Sequence, residues 1–197
     1  MSAESAAERL AAARNLLIVA RTPRLQIRYK MDSDAIEDYQ WARDADSASF
    51  NGRPPTAQTF EAFQAEFERE VRYGPPLRQP FAIDSGAGQH IGNLLYYNAD
   101  PTRRAAEFGM MIGVEAFRGS GLGREAVVGF LRYAWNNLPF GEFYLHTLEW
   151  NERAQRSFTA AGFDPVARVE RGGLVFVRME ACREWWLLHD MEGRFGP

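Results

Sequence analysis

The chain has 197 residues, a net charge of −3, one cysteine and three histidines. That length suits one domain with a terminal extension, and a mildly acidic balance carries no broad basic footprint for nucleic acid. A lone cysteine, Cys182, excludes an internal disulfide or a cysteine metal cluster and fits a reducing compartment; His90, His146 and His189 are too scattered to suggest a metal site.

Residues 3–20 are alanine-rich with helical spacing and predict a helix ahead of the domain. Glu4 and Glu8 precede any apolar run, and the apolar stretch 16–20 is too short for a signal core or a membrane span. A cytoplasmic protein without a membrane partner is therefore expected. A homodimer contact and a loosely docked extension both fit this segment, and the extension is favoured. Thr22-Pro23 punctuates the chain, which divides it into an extension (1–21) and a domain (22–190).

Leu25, Ile27 and Tyr29 alternate as in a strand, and Asp32 or Ser33 caps a helix over about 34–44. A loop from Ser47 to Pro55, with Phe50, Asn51 and Arg53, is expected as a wall of the acceptor pocket. A second helix at 56–73 carries Phe60, Phe63, Phe67 and Val71 on one face. Strands at 80–83 and 91–97 flank a turn and form a hairpin, and 106–114 is the next strand. A helix over 121–138 carries Leu122, Ala126, Val127, Phe130, Leu131, Ala134 and Leu138 on one stripe. A strand follows at 143–150. Asn151 then caps a short helix, and Gly162 sits at its C′ position. A second hairpin turns at Arg171-Gly172-Gly173, and Trp185-Trp186-Leu187-Leu188 forms a terminal apolar patch. The pattern predicts one α/β (α+β) domain with a mixed, mostly antiparallel twisted sheet of about seven strands flanked by helices.

The most informative stretch is 108–126, FGMMIGVEAFRGSGLGREA. A strand runs into Arg118-Gly119-Ser120-Gly121-Leu122-Gly123 and a helix begins at once. This order presents backbone N–H groups at a helix N-terminus, where the macrodipole favours an anion. The glycines remove the Cβ atoms that would hold a phosphate away. A P-loop would need Gly-Lys-Ser/Thr, but Gly123 is followed by Arg124-Glu125. A dinucleotide turn would need its third glycine one residue later.

Arg118-x-x-Gly121-x-Gly123, followed by Asn151-x-x-Ala154 and Gly162-Phe163, resembles the GNAT superfamily of acyl-CoA-dependent N-acetyltransferases. Thr22-Pro23-Arg24-Leu25, Asp38-Tyr39-x-Trp41, Ile91-Gly92, the run 106–113 and Arg183-Glu184-Trp185 resemble the branch of ribosomal-protein alanine and spermidine acetyltransferases. The resemblance spans about 22–186. It implies acetyl-CoA as cosubstrate, with a diphosphate held by Arg118, Gly119, Ser120, Gly121, Leu122 and Gly123. It also implies a pantetheine arm paired with the backbone of Ile112, Gly113 and Val114.

Along 107–114, Phe108, Met110, Ile112 and Val114 share one face, while Glu107, Gly109, Met111 and Gly113 share the other. Glycines there admit a ligand to the backbone. Glu107 opens that face, and burial raises a carboxyl pKa, which suits a general base for the attacking amine. The resemblance assigns a glutamate the same role. Glu149 is an alternative, with His146 ranked behind it; by parity the two fall on opposite faces. The family pattern has a tyrosine where this chain has Phe158, so Ser157, Tyr144 or water is expected to serve the leaving thiolate. Asn151 is read as a helix cap and a ligand contact together. The acceptor implied is a primary amine on a small molecule or a protein N-terminus. A coenzyme-A-binding regulatory protein without catalysis and a nucleotide-binding enzyme of another family are the competing readings.

Overall fold

The computed structural model describes residues 15–50, 52–74 and 77–196. Its strands are β1 (Ile18–Arg21), β2 (Leu25–Tyr29), β3 (Gln79–Ser85), β4 (His90–Asp100), β5 (Ala105–Ile112), β6 (Glu142–Leu148), β7 (Asp164–Arg171) and β8 (Leu174–Cys182). They form one eight-stranded sheet in the order β1-β2-β3-β4-β5-β6-β8-β7. All neighbours are antiparallel except β5 and β6, which run parallel. The helices are α1 (Ala35–Arg43), α2 (Ala45–Phe50), α3 (Phe60–Tyr73), α4 (Leu122–Asn137), α5 (Glu152–Ala160) and α6 (Arg183–Met191).

This is the expected mixed α/β domain, with β1 as an additional strand. Ile18 to Ala20, expected to end a helix, instead pair with β2. β-branched Ile18 and Val19 favour the extended chain, and a vacant sheet edge lay beside them. Residues 3–14 of that expected helix lie outside the described residues, as does Asn51 of the expected pocket wall. α1 stops at Arg43 because Asp44 is extended (ψ 122°), and the Asp44 carboxylate accepts from the Ser47 N–H at 2.8 Å to start α2. The segment expected as loop is therefore helical as far as Phe50. α3 begins at Phe60 rather than Thr56, since the Thr59 hydroxyl accepts from the Ala62 N–H at 3.3 Å.

One face of the sheet packs on α4 and α5. Phe81, Phe108 and Phe143 come from three strands and surround Phe130 of α4, with ring centroids 5.3 to 5.7 Å away. Phe158 and Phe163 extend the cluster beside Phe108. The α4 stripe read from the sequence is buried there except Leu138, which caps the helix end and is half-buried. The terminal apolar patch packs through Trp186, whose indole N–H donates to the Ala161 carbonyl at 2.7 Å. Gly162 (φ +95°) leaves room for that ring; a Cβ would lie 2.5 Å from it.

The opposite face carries charge. Arg28, wholly buried, donates to Asp84 at 2.7 Å and to Asp34 at 2.8 Å. Lys30 donates to Asp38 at 2.6 Å and to Asn93, and His90 stands beside them. Asp34 and Asp38 bring α1 onto the sheet. Burial would raise the Asp34 pKa, but the hydrogen bonds and charge of Arg28 outweigh it and hold the carboxyl below its ordinary range.

Removing one partner of such a network strands the others in a low dielectric. Arg28→Met should cost about 3–5 kcal/mol in urea denaturation. Because the Asp34 pKa is depressed on folding, its contribution is present above the ordinary carboxylate range and is lost as pH falls through the folded value. Wild type should therefore lose more stability in acid than Arg28→Met; parallel pH profiles would show that the pair contributes nothing.

Candidate active site

β5 and β6 share three register positions, Ala105↔Glu142, Ala106↔Phe143 and Glu107↔Tyr144. Beyond them β5 stays with β4 as far as Ile112, and β6 stays with β8 as far as Leu148. The two strands part, and a fork opens at Glu107.

Glu107 is 6% exposed at the apex of that fork. One carboxylate oxygen lies 2.8 Å from His146 Nδ1, and the other accepts from Asn98 Nδ2 at 3.0 Å. The Tyr97 hydroxyl donates to the same carboxylate. Burial pushes the Glu107 pKa up, but these three donors outweigh it and hold it below the ordinary value. The raised pKa expected from burial alone is thus reversed: the group is a stable carboxylate. The donors also push back, since burial and Glu107 raise the phenol pKa of Tyr97.

The tautomer of His146 follows from its neighbours. Arg171 Nη2 lies 3.2 Å from His146 Nε2, and a guanidinium only donates. Nε2 therefore accepts, and Nδ1 carries the proton it gives to Glu107. Arg171 reaches in from the tip of the β7–β8 hairpin, where Gly172 and Gly173 adopt φ of +57° and +76°.

The glycine turn lies at the other end of β5. Gly119 (φ +77°) and Gly121 (φ +82°) occupy the left-handed region, and nothing lies within 4 Å of where a Gly119 Cβ would stand. Gly121 is the N-cap of α4 and brings no side-chain cap. The first-turn amides of Leu122, Gly123 and Arg124 consequently have no partner from their own helix. Arg24 stands over the turn: it donates to the Ser120 carbonyl at 3.0 Å and pairs with Glu125 at 2.7 Å. Glu125 also takes the Thr22 hydroxyl at 2.6 Å, which pins the 22–24 segment beside the turn.

Of the other expected residues, Asn151 caps its helix as read from the sequence, and Arg118, 112–114 and Glu149 are placed differently. Arg118 is engaged with its own chain, donating to the carbonyls of Ile112 (2.9 Å) and Gly113 (2.8 Å) and to Ser47 (3.0 Å). The N–H groups of Gly113 and Val114 both donate to Ile91. The backbone at 112–114 is thus already engaged. Gly113 admits the chain's own Trp41 rather than a ligand, for a Cβ there would lie 2.1 Å from the indole. Gly109 likewise admits Leu95 and Tyr97. Glu149 lies past the end of β6 and pairs with Arg168, away from Glu107. Ser157 Oγ is 3.4 Å from the point a Gly123 Cβ would occupy, beside the turn. Asn151 caps α5, accepting from the Ala154 N–H at 3.2 Å.

Sequence reasoning missed Tyr97 and Asn98 as partners of Glu107. The signal was faint: an asparagine just past the strand expected at 91–97, one of the few residues that tolerates a positive φ (here +49°), where β4 bulges before Asp100. Arg24 was missed as well, because only the fold brings 22–24 to the turn.

A family model described as the acetyltransferase (GNAT) domain matches residues 24–164. No curated protein sequence matches the chain. Among solved structures, the Vibrio cholerae spermidine N-acetyltransferase in complex with CoA and spermine is similar at a TM-score of 0.75 and 17% identity, covering 84% of this chain and 99% of that one. The aminoglycoside acetyltransferase AAC(6')-Ib in complex with coenzyme A is similar at 0.72 and 18%, covering 84% and 99%. Another structure of that enzyme, holding acetyl-CoA, gives 0.69 and 18%, covering 81% and 94%. At such identities the likeness is one of fold.

The Glu107 cluster generates its own test. Tyr97→Phe removes one of three donors, so Glu107 should titrate closer to the ordinary carboxylate range in a carboxyl carbon-13 NMR titration. An unchanged curve would mean that the phenol contributes nothing to holding the charge.

Proposed function

The chain belongs to the GNAT acetyltransferase family, and on that premise we propose that it transfers the acetyl group of acetyl-CoA to a primary amine at the β5–β6 fork. One observation carries the reading: a single strand, β5, leads from a buried carboxylate–imidazole pair toward an uncapped, glycine-rich helix N-terminus. A diphosphate suits the turn, where the amides of Gly119, Ser120, Gly121, Leu122 and Gly123 are the donors. Arg24 stands over the turn in the place first sought for Arg118, but Glu125 neutralises it, so the backbone donors carry the anion.

Because 112–114 is already bonded within the chain, the pantetheine arm pairs earlier on β5, around 108–110, along the side that leaves β6. The thioester then lies near Glu107 and His146, which act as one acid–base unit on the amine. Ser157 borders the space beside Gly123, and Asn151 supports it by fixing the start of α5. The neutral amine attacks the thioester carbonyl carbon, and the C–S bond breaks with its electron pair going to sulfur. Phe158 is buried in the core and gives no proton. Solvent suffices, since a thiol with a pKa near ~8.5 is a tolerable leaving group.

The acceptor is a primary amine on a small molecule; the similar folds named above hold spermine in one case and act on aminoglycosides in another. Phe158 favours a second reading, a coenzyme-A-binding protein without catalysis. The buried pair at Glu107 and His146 weighs against it, because a mere binder has no use for it.

Two measurements test the proposal. Acetyl-CoA consumption over a panel of amines should identify at least one acceptor, and binding without turnover on any of them would favour the second reading. Gly121→Trp places a bulky side chain at a left-handed position beside Arg24. It should weaken coenzyme A binding at least ~10-fold in calorimetry, while thermal unfolding remains cooperative. Undiminished affinity would place the diphosphate elsewhere.

A further inference from the structure

We infer that His146 takes the acceptor's proton through Nε2, and that Glu107 is the positioning residue that holds its ring. The inference rests on the acetyl-transfer reading above and deepens it.

Three observations support it. First, Glu107 is spent. Three donors occupy it, leaving about one of a carboxylate's four acceptor sites. A carboxylate stabilised in this way is a weak base. Second, Glu107 fixes the imidazole with Nδ1 protonated, so Nε2 presents a lone pair. A buried carboxylate that fixes a histidine tautomer is the arrangement by which an imidazole becomes a directed base. Third, the partner of Nε2 is one that can leave. Arg171 sits at an exposed glycine hairpin tip and places a cationic N–H where the acceptor's ammonium N–H would stand.

Position agrees. Tyr144 is the last residue of β6 that pairs with β5, and His146 is the next on the same face, on the arm of the fork opposite Gly109. The charged and titratable groups around its ring come from every neighbouring element. Glu107 of β5 has Tyr97 of β4 behind it, and Tyr144 of β6 lies edge-on with centroids 5.9 Å apart. Arg178 of β8 stands opposite in register, drawn over Tyr144 and neutralised by Glu180 at 2.7 Å; Arg171 of β7 completes the set. Arg178 is therefore held off the imidazole, and Arg171 alone must yield.

In the step, the ammonium N–H bond breaks and its proton bonds to Nε2, giving an imidazolium paired with Glu107. The freed electron pair attacks the thioester carbon. The nitrogen's second proton leaves for the thiolate through water, and His146 returns its proton to solvent. The sum is one amide, one thiol and one proton.

His146→Gln should lower kcat by ~10²–10⁴-fold, with the coenzyme A Kd and the melting temperature little changed, and the acid limb of the pH–rate profile should vanish. Free imidazole should restore part of the activity of His146→Ala, which a structural role would not allow. Nitrogen-15 NMR of the resting protein, which needs no turnover, should show the Nδ1–H tautomer, lost in Glu107→Gln. If His146→Gln turns over like wild type, or the ring carries its proton on Nε2, the inference is overturned while acetyl transfer stands. A wild type that binds coenzyme A yet acetylates no amine overturns both.

Discussion

β5 and β6 lie side by side for three register positions and then separate, while each stays paired along its other edge with another neighbour. β6 is zipped to β8 from Glu142 to Leu148. β5 follows β4, and Gly92 lets the two backbones close up; a Cβ there would lie 2.3 Å from the Met111 carbonyl. The far end of β5 is then fastened by Ile91, which takes two N–H groups, and by Arg118, which takes two carbonyls. Both arms of the fork are thus fixed before any ligand arrives. Preorganisation of this kind spares the reaction the entropy of ordering a site at the moment of use.

The buried charges beneath α1 bear on the same fork from the other side. Burying Arg28 and Lys30 is costly, and burial alone pulls the Lys30 pKa down. What the network fixes is position. Asp34 and Asp38 seat α1, α1 lays Trp41 flat on Gly113, and α2 sets Ser47 against Arg118. A hydrophobic contact could hold α1 down but would tolerate sliding. Directed ion pairs do not, so the helix that walls the site and the strand that carries it keep one register.

The fold was legible wherever period and punctuation agreed. The α4 stripe, the two hairpins and the uncapped glycine turn are local facts, and chain order reports them. Glu107 was legible by parity, and its facing partner His146 was readable in principle from β6, but alternation cannot say which strands become neighbours. Illegible from sequence were the features set by long-range approach: Arg24 over a turn about 96 residues away, Arg118 turned back on its own strand, and Trp41 filling the space of Gly113. The Glu107 pKa was misjudged for the same reason. Burial can be guessed from a strand pattern, but donors arriving from Asn98 and Tyr97 cannot, and they decide the sign.

The distribution of ionisable groups follows the energetics of the reaction. An alkylamine with a pKa near ~10.4 must lose a proton before it can attack, which costs about 4–5 kcal/mol at neutral pH, whereas a thiolate with a pKa near ~8.5 gains its proton downhill. The difficult transfer is the one at nitrogen. One face of the fork gathers a carboxylate, an imidazole and two phenols, and the proposed reading brings the amine to that face. On the opposite face, Phe158 and Phe163 pack against Phe108 with no ionisable group among the three rings. On the proposed reading, a buried ring in place of a phenol at position 158 removes help only from the transfer that is already downhill.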